Sequence, residues 1–224
     1  MEKLDPKDYD TLTKLIVERE LKPTSCCVDV GCHSGEILDM MLETAKDGNF
    51  YCFEPIPDLA SGLRGKYPRP NVHIFEMALS DKIGSASFNY VTSNPGYSGI
   101  LKRHYDRPHE ADRKINVELN TLDNIMGSTQ VDFIKIDVEG AELQVLRGAK
   151  QTIARDRPLI VFEHGLGAAD CYETTPEMII DLLVNELGME IYGLHDFIEG
   201  HTHLERDSFC NQFYTGAHYY FLAK

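Results

Sequence analysis

The stretch "VDVGCHSGEIL", residues 28–38, reads as a buried strand that ends in a glycine turn and runs into a helix. Such a junction sets free backbone N–H groups beside the positive end of a helix. Glycine lets a phosphate or carboxylate approach that backbone closely. The next apolar run ends in Glu54, roughly 20 residues further on, where an acid can accept hydrogen bonds from ribose hydroxyls. Either feature alone has a plain structural explanation: glycines allow tight helix packing, and an acid can cap a solvated strand end. Together, between apolar strands, they point to an adenosine ligand.

Working outward, short β-rich apolar runs alternate with longer helical ones, the pattern of βαβ units on a parallel sheet. Helical spacing is expected over 5–21, 35–45, 58–67, 141–154 and 176–187. Strands are expected over 26–30, 49–55, 72–79, 131–138 and 158–164, then in "MEIYGLH" (189–195) and "AHYYFLAK" (217–224). Residues 80–121 break the rhythm with "ASFNYV", a turn-rich "TSNPGYSG" and an alternating "KINVELN", and read as a hairpin or flap on the rim of the sheet. The stretch 195–212 reads as a His-rich loop. No linker divides the chain, so residues 1–224 are expected to form one domain, with a helix in 1–22 and 80–121 inserted over the substrate side.

A formal net charge of −14 argues against a nucleic-acid partner, since an acidic surface repels phosphate backbones. The amino terminus lacks the basic start and apolar run of a signal peptide, and no apolar stretch is long enough to span a bilayer. The six cysteines include no C-x-x-C pair and fall largely in apolar runs, as reduced core thiols do. A cytoplasmic protein is expected, acting on a small molecule or glycan away from the membrane, with a homodimer conceivable through its edge strands.

A pyrophosphate loop would carry G-x-G-x-x-G. Here the pattern is D-x-G-x-x-x-G, with Asp29 two residues before the first glycine. It is similar to the E/D-x-G-x-G-x-G loop of class I S-adenosylmethionine-dependent methyltransferases, with His33 in place of the middle glycine. An acid suits a ligand ending in an ammonium and a carboxylate. Loop N–H groups would hold the carboxylate, and Asp29, directly or through water, would favour the ammonium.

A second stretch narrows the field. "VDFIKIDVEGAELQVLRGA" (131–149) resembles the signature of the FkbM family of methyltransferases, and "FEPIPDL", "ALSDKIGSASF", "NTLDNI" and "PLIVFEHG" occur in the family's order. The resemblance spans about residues 26–165. The family's first loop commonly reads D-V-G-A-N-x-G, so Cys32 and His33 are this chain's departures. Histidine and asparagine are enriched at positive φ, and His33 is expected to adopt whatever backbone the loop needs.

The resemblance implies an α/β, Rossmann-like class I fold: a mostly parallel seven-stranded sheet with an antiparallel last strand and helices on both faces. It implies O-methylation of a hydroxyl on a small molecule, sugar or glycan with S-adenosyl-L-methionine as cofactor. Family-like cofactor contacts would fall on Asp29, Gly31, Cys32, His33, Gly35, Glu54, Ile56, Ala78 and Asp137, with Ile56 and Ala78 beside the adenine. Other readings of the first loop are an NAD-dependent oxidoreductase or a non-catalytic adenosine-cofactor-binding module.

Methyl transfer to a hydroxyl requires alignment and removal of a proton. Asp137 and Glu163 end the fourth and fifth strands and can face one crevice. His164 is a candidate general base because histidine titrates near neutrality. Glu142, in a first helical turn, suits a capping role. Asp137, Glu163 and a nearby histidine are conceivable ligands for a divalent ion, but no ligand spacing supports one, and metal-free catalysis is expected.

Overall fold

The computed structural model describes residues 4–105 and 109–224. Helix α1 (Tyr9–Glu20) is capped by Asp8, whose side chain accepts from the Thr11 N–H, and buries Leu12, Ile16 and Val17. The run Cys26–Val30 is buried at all five positions, as a strand covered on both faces must be, and forms β1. Then follow α2 (Glu36–Thr44), β2 (Asn49–Phe53), α3 (Pro57–Lys66) and β3 (Val72–Phe75). β7 (Phe133–Ile136), β8 (Leu159–Glu163), β9 (Ile191–Gly193) and β10 (Tyr220–Ala223) complete a seven-stranded sheet of order β3-β2-β1-β7-β8-β10-β9. β1, β2, β3, β7 and β8 pair in parallel, and the chain's last strand, β10, lies antiparallel between β8 and β9. This is the Rossmann-like class I methyltransferase architecture.

Strand alternation divides the core in two. Val28, Val30, Ile134, Ile136, Ile160 and Phe162 face one side. That side is covered by α4 (Leu122–Met126), α5 (Glu142–Arg147), α6 (Lys150–Asp156), α7 (Pro176–Ile180) and α9 (Arg206–Thr215). Cys27, Phe133, Leu159 and Val161 face the other side, under α1, α2 and α8 (Leu194–Glu199).

The structure departs from the sequence expectations in four places. The run 72–79 is not one strand: the chain leaves the main sheet after Phe75, and Ala78–Leu79 (β4) joins a small second sheet. In that sheet β5 (Gly84–Val91) and β6 (Asp112–Asn120) form the hairpin expected within 80–121, and β4 pairs with β6. The helix expected over 141–154 breaks at Gly148, where a Cβ would lie 2.0 Å from the Ser80 carbonyl oxygen. The helix expected over 176–187 continues past Ile180 as a π-helix, Asp181–Glu186. The stretch 195–212 holds most of helices α8 and α9 rather than a loop. The apolar residues of these two helices hold helical spacing, Leu194 with Phe197 and Phe209 with Phe213, and all four are buried.

Among the described residues no helix is long and apolar enough to cross a membrane. All six cysteines are free thiols.

Phe221 of β10 is fully buried against Phe209 (ring centroids 4.6 Å, edge-on) and Phe162 (6.0 Å). Truncation to alanine should cost about 3–5 kcal/mol of unfolding free energy, read by urea denaturation. A loss under about 1 kcal/mol would mean that the antiparallel strand does not seal the sheet.

Candidate active site

The turn after β1 is built on left-handed backbone. Gly31 (φ +83°) and Gly35 (φ +84°) are joined there by His33, at φ +49°. Histidine thus occupies the left-handed region itself, as its sequence position suggested. A Cβ on Gly31 would lie 1.9 Å from the Asp137 carbonyl oxygen, so only glycine fits between the turn and the end of β7. A Cβ on Gly35 would meet the Tyr67 ring and hydroxyl, which donates to the Gly35 carbonyl at 2.9 Å.

Four of the turn's N–H groups are committed within the protein, contrary to expectation. Those of Gly31 and Cys32 donate to the Phe53 carbonyl, that of Gly35 to Cys32, and that of His33 to Glu54 at 2.9 Å. Glu54 also accepts from the Ile56 N–H at 2.9 Å. The acid at the end of β2 therefore holds the turn as well as facing the cavity. Burial pushes its carboxyl up to about 7, with the two backbone donors opposing.

A cavity of about 420 Å³ opens at the carboxyl ends of β1, β2 and β7, the usual ligand crevice of an open α/β sheet. Gly31, Cys32, His33, Glu54, Ile56, Ala78 and Asp137 line it, bringing together seven of the expected contacts. Gly35 and Asp29 stand behind the wall. Asp29 is 1% exposed, and neither carboxylate oxygen has a hydrogen-bond partner. Burial raises it to about 6, against the pull of Lys135. Such an unpartnered buried carboxylate behind a tight glycine turn favours a cationic group in the adjoining cavity and fits the ammonium-bearing ligand expected there.

The signature stretch folds as strand, turn and helix. Glu139 (φ +58°) and Gly140 (φ +106°) make the turn, and a Cβ on Gly140 would lie 2.4 Å from the Ala168 carbonyl oxygen. Glu142, buried, accepts from the N–H groups of Val138 (3.1 Å) and Gly140 (3.0 Å), the capping role expected of it. Glu139 is ion-paired with Arg103 from the β5–β6 connection, which fastens that segment to the turn.

Asp137 sits at the centre of a polar cluster. Its Oδ2 accepts from the Lys135 ammonium at 2.8 Å and from the Tyr220 hydroxyl at 2.5 Å. Burial alone would raise its carboxyl, but Lys135 and Tyr220 hold it down at about 2. Burial and the charge of Asp137 push the carboxyl of the neighbouring Glu163 well up. Asp137, Glu139 and Glu163 place carboxylate oxygens within 4.8 Å of one another. Two of these three acids are ion-paired, to Lys135 and Arg103.

His164 is elsewhere. Adjacent strand residues point to opposite faces, and the side of β8 that carries Glu163 toward the cluster carries His164 away from it. His164 is fully buried, its ring stacked on Phe213 at 4.5 Å, both nitrogens without partners and its pKa lowered to about 4 by burial. It is a core residue, and its assignment as general base is corrected. Glu163 touches Asp137 but does not line the cavity. Lys135, Tyr220 and the α1 residues Tyr9, Asp10 and Thr13, which do line it, were missed. Only Lys135 had a signal, as a charge within an otherwise apolar strand.

Residues 29–191 match the methyltransferase FkbM domain. The chain belongs to the FkbM methyltransferase family. Among similar proteins, 2-O-methyltransferase NoeI of Sinorhizobium fredii is 29% identical over 150 residues, covering 61% of this chain and 62% of that protein. Methyltransferase sdnD of Sordaria araneosa is 26% identical over 155 residues, covering 55% and 60%. The matches thus span about three-fifths of the length of these curated relatives. The crystal structure of methyltransferase FkbM from Methylobacillus flagellatus superposes with a TM-score of 0.56 at 14% identity, over 91% of this chain and 44% of that one, and shares the fold.

In this FkbM-family chain the turn's two non-equivalent positions give a paired test by denaturant unfolding. Gly31→Ala should lose at least about 2 kcal/mol, because left-handed strain adds to a backbone collision. His33→Gly should stay within about 1 kcal/mol of the parent, since glycine adopts the same backbone freely. An undisturbed Gly31→Ala variant would refute the packing of the turn against Asp137.

Proposed function

We propose that this chain is an S-adenosylmethionine-dependent O-methyltransferase acting on a hydroxyl of a small molecule or sugar. The observation that carries the reading is the convergence of the Gly31–Glu36 turn, the Glu54 carboxylate and Asp137 on one cavity. Family membership and the 2-O-methyltransferase relative support it. The free thiols support a reducing, cytoplasmic setting. In this reading residues 1–224 act as one catalytic domain, with 80–121 closing over the acceptor side.

S-adenosylmethionine, when bound, supplies a methyl group on a sulfonium, already activated for displacement. The protein's part is to bind, align and accept a proton. Each Glu54 oxygen accepts one backbone N–H and keeps a lone pair for a ribose hydroxyl. Ile56, Ala78, Met77 and Phe88 form an apolar slot suited to an adenine. Asp29 and Glu36 set a negative potential around the turn, suited to the ammonium and sulfonium charges. A pyrophosphate would meet these acids, which disfavours a dinucleotide.

Asp137 is the proposed proton acceptor. An alcohol is too weak an acid to ionise beforehand toward a carboxylate held near 2. Once the new C–O bond forms, however, the protonated ether is a strong acid, and Asp137 suffices as a late base. The hydroxyl oxygen thus gains the methyl carbon and loses its proton to Asp137.

The test is incubation with methyl-labelled S-adenosylmethionine and fractionated cell extract, followed by identification of the labelled product. A methyl ether is expected, and Asp137→Asn should lower its formation by about 100-fold or more with the thermal midpoint preserved. Label only on nitrogen or carbon would overturn O-transfer, and unchanged turnover in the variant would remove Asp137 from the chemistry.

A further inference from the structure

Lys135 is an ammonium set in the interior of a buried parallel strand, 5% exposed, where apolar residues are the rule. Its cross-strand partner in the β1–β7 register is Asp29, so the two side chains share a row and a face. Two residues along its own strand is Asp137, at 2.8 Å. Burying an ammonium is strongly unfavourable unless it is paired, so its retention here marks a task that an apolar side chain cannot perform.

The charged groups around Asp137 define the task. On its own segment are Lys135, Glu139 and Glu142; Asp29 lies on β1, Glu163 on β8, Tyr219 and Tyr220 about the start of β10, and Arg103 on the β5–β6 connection. Among the described residues five carboxyl groups thus face two cations, and Arg103 is committed to Glu139. Of those two cations, Lys135 is the one that remains to offset both Asp29 and Asp137.

We propose that Lys135 is the positioning residue of this site: one ammonium keeps Asp137 ionised and fixed, with Tyr220 donating to the same oxygen, while offsetting the carboxylate behind the glycine turn. Without it, Asp137 would be a half-buried acid among other acids and would take up a proton, losing its capacity to accept one. Only the activity arm of the test rests on the methyl-transfer reading.

The experiment follows the Asp137 carboxyl directly, by carbon-13 NMR of the full chain labelled at aspartate carboxyls. The resonance is assigned by its absence in Asp137→Asn. In the parent it should stay ionised down to at least about pH 4; in Lys135→Met its midpoint should rise above about pH 5. Lys135→Arg, which keeps the charge, should behave as the parent, and Lys135→Gln, which keeps a donor without charge, serves if the methionine variant does not fold. In the activity arm, Lys135→Met should lose at least tenfold relative to the parent at pH 6, and that ratio should narrow at pH 9. A midpoint below pH 4 in the uncharged variants, or an equal loss of activity at every pH, overturns the proposal. A raised midpoint in a chain that methylates nothing would uphold the role of Lys135 and defeat the methyl-transfer reading instead.

Discussion

The backbone of Gly31 lies against the carbonyl of Asp137 at a distance that leaves no room for a side chain. That contact joins the two stretches that carry this protein's chemistry, the turn after β1 and the turn after β7. Neighbouring parallel strands bring their carboxyl ends side by side, but they do not by themselves fix how the outgoing turns pack. The missing Cβ does. It lets the first turn fold over the end of β7, with Glu54 from β2 holding the His33 N–H from the other side. The cavity is the space in front of this three-strand junction.

A consequence is that the site is built from buried and half-buried charge. Asp29, Glu54, Asp137, Glu139, Glu142 and Glu163 gather where helices begin and strands end, and burial raises most of them. The exception is Asp137, which has the ammonium of Lys135 and the hydroxyl of Tyr220 on one oxygen. Environment, not residue type, thus separates Asp137, held low, from its neighbour Glu163, pushed well up. It also gives the cavity a negative lining suited to a cationic cofactor and unsuited to a polyphosphate.

Much of this was legible in the sequence, for identifiable reasons. The strand positions followed from apolar runs buried on both faces, and the place of the last strand followed from the family resemblance. The left-handed backbone at His33 could be expected because few other side chains tolerate it. What failed was mostly long-range. The break at Gly148 depends on the carbonyl of Ser80, and the commitment of the turn's N–H groups depends on Phe53 and Glu54, contacts that no local pattern encodes. Tyr220 reaches Asp137 from 83 residues away in the chain. His164 is a different kind of miss: alternation along β8 already assigned it to the face opposite Glu163, so its exclusion was available from the sequence.

Calorimetric titration of the full chain with each cofactor measures whether this junction holds S-adenosylmethionine rather than a dinucleotide. Saturable one-to-one binding of S-adenosylmethionine and no detectable heat from NAD are expected; binding of NAD in the absence of any S-adenosylmethionine binding would overturn the assignment.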